Sequence, residues 1–271
     1  MERERGVVSI MSILFSGDFH ANAKGELHSI TKKTLIRRYG HRIYGGIKYH
    51  IILGDGEFML PNNQKTDIRN YEILAKRSFP VLCVIGNHEP ILGMSNVPET
   101  DIGIGETVYK INDEPFVAYL KRGKAYTIEG FRFLVLGGAF SIDKNYQKSR
   151  KTWWELEYWT EKEKQDVFKL LDSENTFDLI LSHTGPHHIN KILFRDEKSN
   201  QSIIDEVAKL NDDIHDRIQF KEWWCGHWHR DKYYFETETK HGYQYLYKST
   251  KVIDRVNGKL IIYNENNDVK R

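Results

Sequence analysis

The sequence is poor in cysteine, has no long apolar run and carries no excess of charge of one sign. Its 2 cysteines, Cys83 and Cys225, each lie inside an apolar run, so we expect buried, reduced thiols and no disulfide framework. No run approaches the roughly 20 apolar residues that a membrane-spanning helix needs. The N-terminal MERERGVVSIMSILF contains two glutamates and a short apolar run broken by serine, which is unlike a signal peptide. We therefore expect a cytoplasmic protein with no membrane partner.

The charge balance narrows the range of partners. The 271 residues include 40 Lys and Arg and 38 Asp and Glu, for a formal net charge of +2. This balance gives no electrostatic case for an obligate nucleic-acid partner, so nucleic acid is not excluded but is not favoured. No Pro/Gly/Ser-rich linker, internal repeat or low-complexity tract divides the chain, and we expect one domain over residues 1–271. The oligomeric state is left open.

One pattern recurs along the chain: a short β-branched or aromatic run, then a glycine or small residue, then polar groups. Near-continuous apolar runs of this length fit strands that are covered on both faces. The segments are Ser12–His20, Tyr49–Glu57, Val81–Glu89, Phe131–Asp143, Asp178–Pro186 and Glu222–His229.

Helical segments separate several of these runs. Residues 26–39 and 68–77 have apolar positions at helical spacing, and residues 202–210 are a third candidate. Thr160 opens a capping-box signature ahead of an amphipathic segment. After His229 the sequence changes to alternating strands. Strand–helix alternation followed by antiparallel strands indicates a mixed α/β fold with layered sheets, where ligands gather beyond the carboxyl ends of strands.

Five of the apolar runs end in residue types that bind metals. Taken singly these endings are weak signals, because each also occurs in ordinary loops and turns. Together they offer carboxylate, amide and imidazole groups, which suit borderline divalent metals such as Mn, Fe and Zn. Two such cations about 3.5–4 Å apart can share a carboxylate and a water, and Asp55 is the candidate shared ligand. The endings are Asp18-x-His20, Gly54-Asp55, Gly86-Asn87-His88-Glu89, Ser182-His183 and Gly226-His227-x-His229.

This ordered set of motifs resembles the calcineurin-like metallophosphoesterase family from Gly17 to His229. The resemblance implies an αββα sandwich of two mixed β-sheets flanked by helices, and a cofactor of two divalent metal ions. Carried over by resemblance, one metal would be held by Asp18, His20, Asp55 and His229, and the other by Asp55, Asn87, His183 and His227. A metal-bridging hydroxide would attack phosphorus in line, while His88 would protonate the leaving oxygen.

The sequence also departs from the family. The protein-phosphatase members follow Gly-Asp with a second Asp and an Arg-Gly pair, whereas this chain continues from Asp55 as GEFML. The usual carboxylate that orients the catalytic histidine is therefore missing at its expected place, and Glu57 is a possible substitute. Glu89 is interpreted as a carboxylate that supports the loop. These departures weaken a protein Ser/Thr phosphatase assignment and leave metallophosphoesterase chemistry intact.

The substrate side is less well defined by the sequence. The loop after Gly137-Gly138 leaves a strand end and offers Asp143, Arg150 and Trp153 as substrate contacts, while Asn22 is another candidate phosphate contact. Trp153, Trp154 and Trp159 either stack on a base or form a core patch. The histidines outside the motifs, including His187, His188, His215 and His241, are interpreted as surface or structural, with pocket lining as an alternative for His187 and His188 only.

The sequence therefore predicts a dinuclear-metal phosphoric ester hydrolase. It would act as a phosphomonoesterase or small phosphodiesterase on a nucleotide or phosphorylated metabolite. A protein Ser/Thr phosphatase or a nuclease of the same family is an alternative within enzymes, although a nuclease should add a basic track for the backbone. A catalytically inactive metal-binding scaffold is an alternative of another class. Such a scaffold should lose ligands or the catalytic histidine, and this chain has all of them.

Overall fold

The computed structural model describes residues 11–20, 30–58, 64–89, 97–141, 157–195, 205–265 and 269–270. The helices in these ranges are α1 (Lys32–Gly46), α2 (Gln64–Leu74), α3 (Glu161–Ser173), α4 (His187–Phe194) and α5 (Glu206–His215). The strands are β1 (Ser12–Ser16), β2 (Ile47–Ile52), β3 (Val81–Cys83), β4 (Glu99–Thr100), β5 (Val108–Asn112), β6 (Val117–Leu120), β7 (Lys124–Ile128), β8 (Phe131–Val135), β9 (Leu179–Leu181), β10 (Glu222–Cys225), β11 (Lys232–Glu236), β12 (His241–Tyr245), β13 (Thr250–Val256), β14 (Lys259–Tyr263) and β15 (Val269–Lys270). Among these, no helix is both long and apolar enough to cross a membrane.

The strands form two mixed sheets. The first has the order β15-β14-β13-β1-β2-β3-β6-β5-β4, and the second has the order β11-β12-β10-β9-β8-β7. Each sheet has a parallel centre: β1, β2, β3 and β6 in the first, and β8, β9, β10 and β12 in the second. The outer strands pair antiparallel, so each sheet presents the carboxyl ends of its central strands along one edge.

The main core lies between the two sheets. Phe15 of β1 packs edge-on against Trp224 of β10, with 4.8 Å between ring centroids, and also contacts Phe133 of β8. The outer face of the first sheet is covered by α1 and α2, which bury Leu35 and Leu74. Helices α3, α4 and α5 cover the outer face of the second sheet. The predicted layered sandwich of two mixed sheets flanked by helices is confirmed.

The six apolar runs predicted as strands contain β1, β2, β3, β8, β9 and β10. The capping box of α3 is also confirmed: the Thr160 side chain accepts from the Glu163 backbone N–H, and the Glu163 carboxylate accepts from that of Thr160. Helix α1 continues beyond the predicted end at residue 39, through a break at Gly40, where φ is 79°. Helix α5 likewise runs past the predicted end at residue 210, because Ile214 is buried one turn further on.

Helix α4 and strands β4, β5, β6 and β7 were not predicted from the sequence. Helix α4 follows Pro186, which provides no side-chain cap hydrogen bond, so the usual N-terminal mark is missing. Strands β4 and β5 extend the edge of the first sheet, but β4 has two residues and β5 is largely half-buried. Short, partly covered edge strands lack the continuous apolar run by which central strands are recognised.

A buried histidine joins β2 to its neighbours. The Nε2 of His50 lies 2.9 Å from the Ser16 Oγ, and its Nδ1 lies 3.1 Å from a guanidinium nitrogen of Arg77. Because the guanidinium can only donate, Nδ1 is the acceptor and Nε2 carries the proton. Burial, and secondarily the charge of Arg77, lower the pKa of His50 well below its usual value. The native fold therefore holds a neutral imidazole at this point.

We predict that His50 makes the stability of the fold decrease in mild acid. The unfolded chain binds a proton at this histidine near pH 6.5 while the native chain does not, so stability falls below that pH by up to about 1.4 kcal/mol per pH unit. Urea unfolding followed from about pH 7.5 to about pH 5.5 should show a shallower decline in His50→Asn than in the wild type. The exposed His41 provides the control, and His41→Asn should keep the wild-type slope. Equal slopes in all three proteins would contradict the prediction.

Candidate metal centre

The carboxyl ends of four strands bring together residues that are far apart in the sequence. Strand β1 leads to Asp18 and His20, and β2 leads to Asp55, while β9 and β10 of the facing sheet lead to His183 and His229. One side-chain ligand atom from each of Asp18, His20 and His229 lies within 4.8 Å of the other two, and the same holds for Asp18, Asp55 and His183. Asp18 belongs to both groups, which therefore form one continuous centre.

The backbone at this edge adopts a rare conformation. Eight non-glycine residues in the described ranges have positive φ, and five of them lie at these strand ends. Such conformations cost of order 1–3 kcal/mol each and persist where the surrounding structure enforces them, often at functional sites. The five residues are His20 (φ 48°), Asp55 (φ 48°), Glu57 (φ 51°), His227 (φ 67°) and His229 (φ 48°).

Two glycines allow the strand ends to approach each other closely. Gly54 has a φ of 97°, and a Cβ at this position would overlap with the imidazole of His183. A Cβ at Gly226 would overlap with the Asp18 carboxylate. A larger residue at either position would push a candidate ligand out of place. The two glycines are therefore required for the candidate ligands to pack closely together.

Each of the two aspartates has one oxygen fixed and one directed toward the imidazoles. The Oδ1 of Asp18 accepts a hydrogen bond of 2.7 Å from the His227 backbone N–H, and the Oδ1 of Asp55 accepts one of 3.1 Å from that of His88. The Oδ2 of Asp18 is buried and has no hydrogen-bond partner, although the His229 Nε2 lies 3.0 Å from it. A buried carboxylate oxygen without a donor is costly, and a bound cation would compensate it.

Hydrogen bonds on the side away from the centre orient the imidazoles of His183 and His20. The Nδ1 of His183 donates to the Leu53 carbonyl at 2.8 Å, which leaves its Nε2 facing the centre, 2.9 Å from the Asn87 Oδ1 and 3.2 Å from the Asp55 Oδ2. The Nδ1 of His20 lies 2.7 Å from a carboxylate oxygen of Glu57 and so donates to it. Its Nε2 faces the His229 Nε2 at 2.8 Å. A carbonyl or carboxylate behind one ring nitrogen is the arrangement that directs the other nitrogen to a metal.

The same contacts shift the pKa values of the histidines. Burial opposes protonation of His20, but its hydrogen bond to Glu57 and the Asp55 charge raise the pKa to about 10. Burial likewise opposes protonation of His183, and the Asp55 charge raises its pKa to about 9. For His227, burial and the nearby His183 lower the pKa to about 3. Binding of divalent cations between these carboxylates and imidazoles would therefore release protons.

A comparison with known families adds to this geometry. The model of the family described as calcineurin-like phosphoesterase matches residues 11–231, which include every residue of the centre. The chain belongs to the calcineurin-like phosphoesterase family. The resemblance noted in the motifs is thereby confirmed over most of the chain.

One solved structure shows the same fold, and a second is similar at a lower score. A dimetal phosphatase from Danio rerio is 14% identical, with a TM-score of 0.50 over 95% of this chain and 96% of that one. A phosphopantetheinyl hydrolase from Mycobacterium tuberculosis is 13% identical, with a TM-score of 0.44 over 88% of this chain and 91% of that one. At such identities the likeness concerns the fold alone. None of the curated protein sequences compared matches this calcineurin-like phosphoesterase.

The predicted catalytic histidine, His88, has two glutamates near it in this phosphoesterase, Glu57 and Glu89, and they have different partners. The His88 side chain is partly exposed, with its Nε2 3.9 Å from the Asp55 Oδ2 and its Nδ1 3.8 Å from a Glu57 oxygen. Glu57 is thus at hydrogen-bond distance from His20 and not from His88. Glu89 is buried and accepts from the backbone N–H groups of Gly86 and Glu57, so it supports the loop as predicted. Burial, followed by the charge of Asp55, raises the pKa of Glu89 to about 7.

Of the remaining candidates, His227 lies within the described residues but outside these ligand groups. His227 donates its backbone N–H to Asp18, and its ring centroid lies 5.0 Å from that of His183. The predicted substrate contacts Asn22, Asp143, Arg150 and Trp153 lie outside the described residues. Trp159 is buried in the core of the second sheet and donates its indole N–H to the Gly137 carbonyl at 2.7 Å, which favours the core interpretation for this tryptophan.

Sequence reasoning missed a buried chain that orients Asn87. The amide nitrogen of Asn87 donates to the Ser141 Oγ at 2.9 Å, and Ser141 in turn donates to a carboxylate oxygen of Glu157 at 2.5 Å. Ser141 and Glu157 are 1% and 2% exposed, so no water competes for these bonds. The amide oxygen of Asn87 is therefore held toward His183. Only the position of Ser141 near the end of the predicted strand segment, residues 131–143, hinted at this role.

We predict that Ser141→Ala weakens metal binding without unfolding the protein. Loss of the hydroxyl frees the Asn87 amide to rotate, and removal of such outer partners typically costs about 10–100-fold in metal affinity. Isothermal titration of metal-stripped protein with Mn²⁺ or Zn²⁺ should show this loss. Ser173→Ala, at the exposed end of α3, is the matched control and should bind as the wild type does. Unchanged affinity in Ser141→Ala would show that the amide is held by other contacts.

Proposed function

We propose that this chain is a dinuclear-metal phosphoric ester hydrolase, acting as a phosphomonoesterase or small phosphodiesterase on a nucleotide or phosphorylated metabolite. The observation that supports it most directly is the meeting of four strand ends from two sheets at one edge, in two overlapping groups of three residues whose ligand atoms lie within 4.8 Å of one another. The buried, unpartnered Oδ2 of Asp18 indicates that this edge is built for a cation.

The described residues fit two divalent cations. We assign Asp18, His20, Asp55 and His229 to one ion, and Asp55, Asn87, His183 and His227 to the other. Oxygen and imidazole ligands without thiolate suit Mn, Fe or Zn. When bound, the two cations lower the pKa of a water and neutralise charge on the phosphoryl oxygens. The protein's own contribution is to hold its carboxylates and neutral imidazoles in fixed orientations around them.

We assign the proton delivered to the leaving oxygen to His88. Its backbone N–H is tied to the Asp55 Oδ1, so the residue is fixed to the carboxylate that we place between the metals. Its ring is 27% exposed, open to an incoming ester, whereas His183 is fully buried. A histidine fits this task because its usual pKa lies near physiological pH.

The described rim of the centre suits a small anionic substrate. Tyr247 stacks on the His229 ring at 4.7 Å with an interplanar angle of 13°. The Asp231 carboxylate holds this rim in place by accepting from the backbone N–H groups of residues 247, 248 and 249 at 2.9–3.1 Å. Exposed Arg230 and Lys248 lie beside it and would attract a phosphate. Asn22, Asp143, Arg150 and Trp153 remain proposed substrate contacts.

The alternative functions, a protein Ser/Thr phosphatase or a nuclease, have less support. In the turn after Asp55, Phe58 is buried between Phe19 and Tyr71, with centroids at 5.6 and 5.8 Å, so this turn offers an aromatic core residue and no arginine for a phosphoprotein. The near-neutral net charge does not favour nucleic acid or a membrane surface as partner. Cys83 and Cys225 are free and buried, which supports the proposed cytoplasmic location.

We predict that metal-stripped protein refilled with Mn, Fe, Zn or Mg hydrolyses nitrophenyl phosphate, its bis-nitrophenyl diester, or a member of a nucleotide panel. The ratio of the two nitrophenyl rates assigns the enzyme as a monoesterase or a diesterase. Hydrolysis should disappear on chelation and return on refilling, since the metals supply the nucleophile and the charge neutralisation. If no ester is cleaved with any metal while the metals bind, the scaffold alternative is correct.

We predict that His88→Ala and Asp55→Asn separate catalysis from metal binding. His88→Ala should retain the metal content of the wild type and lose about 10²–10⁴-fold in rate, because a general acid typically contributes that much. Asp55→Asn should lose both metal content and rate. Elemental analysis of dialysed protein, measured beside kcat, distinguishes the two. The exposed His41→Ala is the control, and loss of metal in His88→Ala or full metal in Asp55→Asn would contradict the assigned roles.

A further inference from the structure

Away from the centre described above, three more metal-binding side chains meet where α5 ends beside the β11–β12 hairpin. His215 is the last residue of α5, Glu236 is the last of β11 and His241 is the first of β12. The antiparallel register pairs Glu236 directly with His241, so the two side chains are neighbours on one face of the hairpin. One ligand atom from each of the three residues lies within 4.8 Å of the other two. We call these three residues the histidine cluster.

The histidine cluster lies at the amino-terminal ends of the parallel strands of the second sheet, whereas the proposed dinuclear centre lies at their carboxyl ends. Strand β12 runs parallel to β10, with Gly242 paired with Glu222 and Tyr245 paired with Cys225. His241 therefore precedes the start of the paired strands, whereas His229 follows their end. The two sites are separated by the length of the strands, and a substitution in one does not touch the other.

One imidazole of the cluster has a ring nitrogen without a partner. The Nδ1 of His241 is buried and makes no hydrogen bond. Its ring is held by stacking on Phe220, with 4.0 Å between ring centroids and an interplanar angle of 27°. Stacking fixes the plane of the ring but does not satisfy the nitrogen, and buried polar atoms are normally paired.

The other imidazole is oriented as metal-binding histidines are. The Nδ1 of His215 lies 3.4 Å from an Asp216 carboxylate oxygen, and its Nε2 lies 2.9 Å from the Tyr243 hydroxyl. A carboxylate near Nδ1 favours the tautomer whose Nε2 carries the lone pair, and a cation at Nε2 would take the place of the Tyr243 hydroxyl there. Burial lowers the pKa of both His215 and His241, which supports the neutral form that a cation needs.

We propose that His215, Glu236 and His241 form a separate mononuclear site for a borderline divalent cation such as Zn²⁺, which ties α5 to the β11–β12 hairpin. Two imidazoles and one carboxylate are a donor set that zinc accepts, with the fourth position open to water. Tetrahedral zinc with bonds of about 2.0–2.1 Å requires ligand atoms about 3.4 Å apart. The three ligand atoms lie within 4.8 Å of one another, so binding requires the side chains to close around the cation.

The proposal is tested by counting metal in variants of the whole chain. Wild type, His241→Ala and Glu236→Gln are stripped, dialysed against Zn²⁺ and analysed for bound zinc per chain. The wild type should retain one cation more than His241→Ala, and Glu236→Gln should bind that cation at least about tenfold more weakly. Because the result is a difference between proteins, it does not depend on whether the dinuclear centre fills. Zinc should also raise the Tm of the wild type more than that of either variant.

The matched control is Glu238→Gln. Glu238 belongs to the same hairpin turn, and its carboxylate accepts from Thr237, so its loss changes the charge of the turn but not the cluster. This variant should keep the wild-type zinc count. Equal zinc in the wild type, His241→Ala and Glu236→Gln would overturn the proposal, as would an equal loss in Glu238→Gln. Glu236→Gln conserves shape, so it decides the question even if His241→Ala fails to fold.

Discussion

Two buried carboxylates, one of which has an oxygen without a hydrogen-bond donor, are the constraint on which the rest of the structure depends. Asp18 and Asp55 are almost fully buried, and each satisfies one oxygen with a backbone N–H from a different strand end. Asp18 thereby locks the loop after β10, and Asp55 locks the loop after β3. Their remaining oxygens face imidazoles instead of water, and a buried negative charge is tolerated only with compensating positive charge. A bound cation would therefore contribute to the stability of this edge as well as to the proposed chemistry.

The two sheets pack face to face, and this packing brings the charged side chains together. Phe15 and Trp224, one in each sheet, pack in the core just behind the strand ends and set the separation of the two edges. Gly54 and Gly226 then let a carboxylate and an imidazole come closer than a Cβ would permit. The rigid core also sustains the five positive-φ residues of the loops, which would relax on a softer support. Core packing, the close approach at the glycines and the strained backbone together position the candidate ligands.

Hydrogen bonds behind the proposed ligands distinguish the two candidate metal sites. In the main centre, a carbonyl or a carboxylate is within 2.8 Å of a ring nitrogen in His183 and His20, and Asn87 is held by Ser141. Such support would fix each ligand before a metal binds, which suits the catalytic site that we propose. The histidine cluster has only a 3.4 Å contact behind His215. That looser support suits a cation that joins a helix to a hairpin.

Local sequence motifs predicted much of the secondary structure and many of the candidate site residues. Apolar runs predicted six central strands, the capping signature of Thr160 predicted the start of α3, and the polar endings predicted which side chains gather. Each of these signals is local, because strand period, cap and turn depend on residues within a few positions. Helix α4 and the edge strands were missed for the same reason, since Pro186 provides no cap and β4 is too short to show a period.

Only the tertiary structure decided which side chains touch. Glu57 contacts His20 more closely than His88, and Ser141 and Glu157 stand behind Asn87. His215 meets two hairpin residues that lie more than twenty positions later in the chain. No spacing along the chain encodes these pairs, because they depend on which strands become neighbours and how the two sheets face each other. The sequence by itself determined the chemical groups and the strand ends that carry them. Their partners were decided by packing, which acts between segments that are distant in the chain.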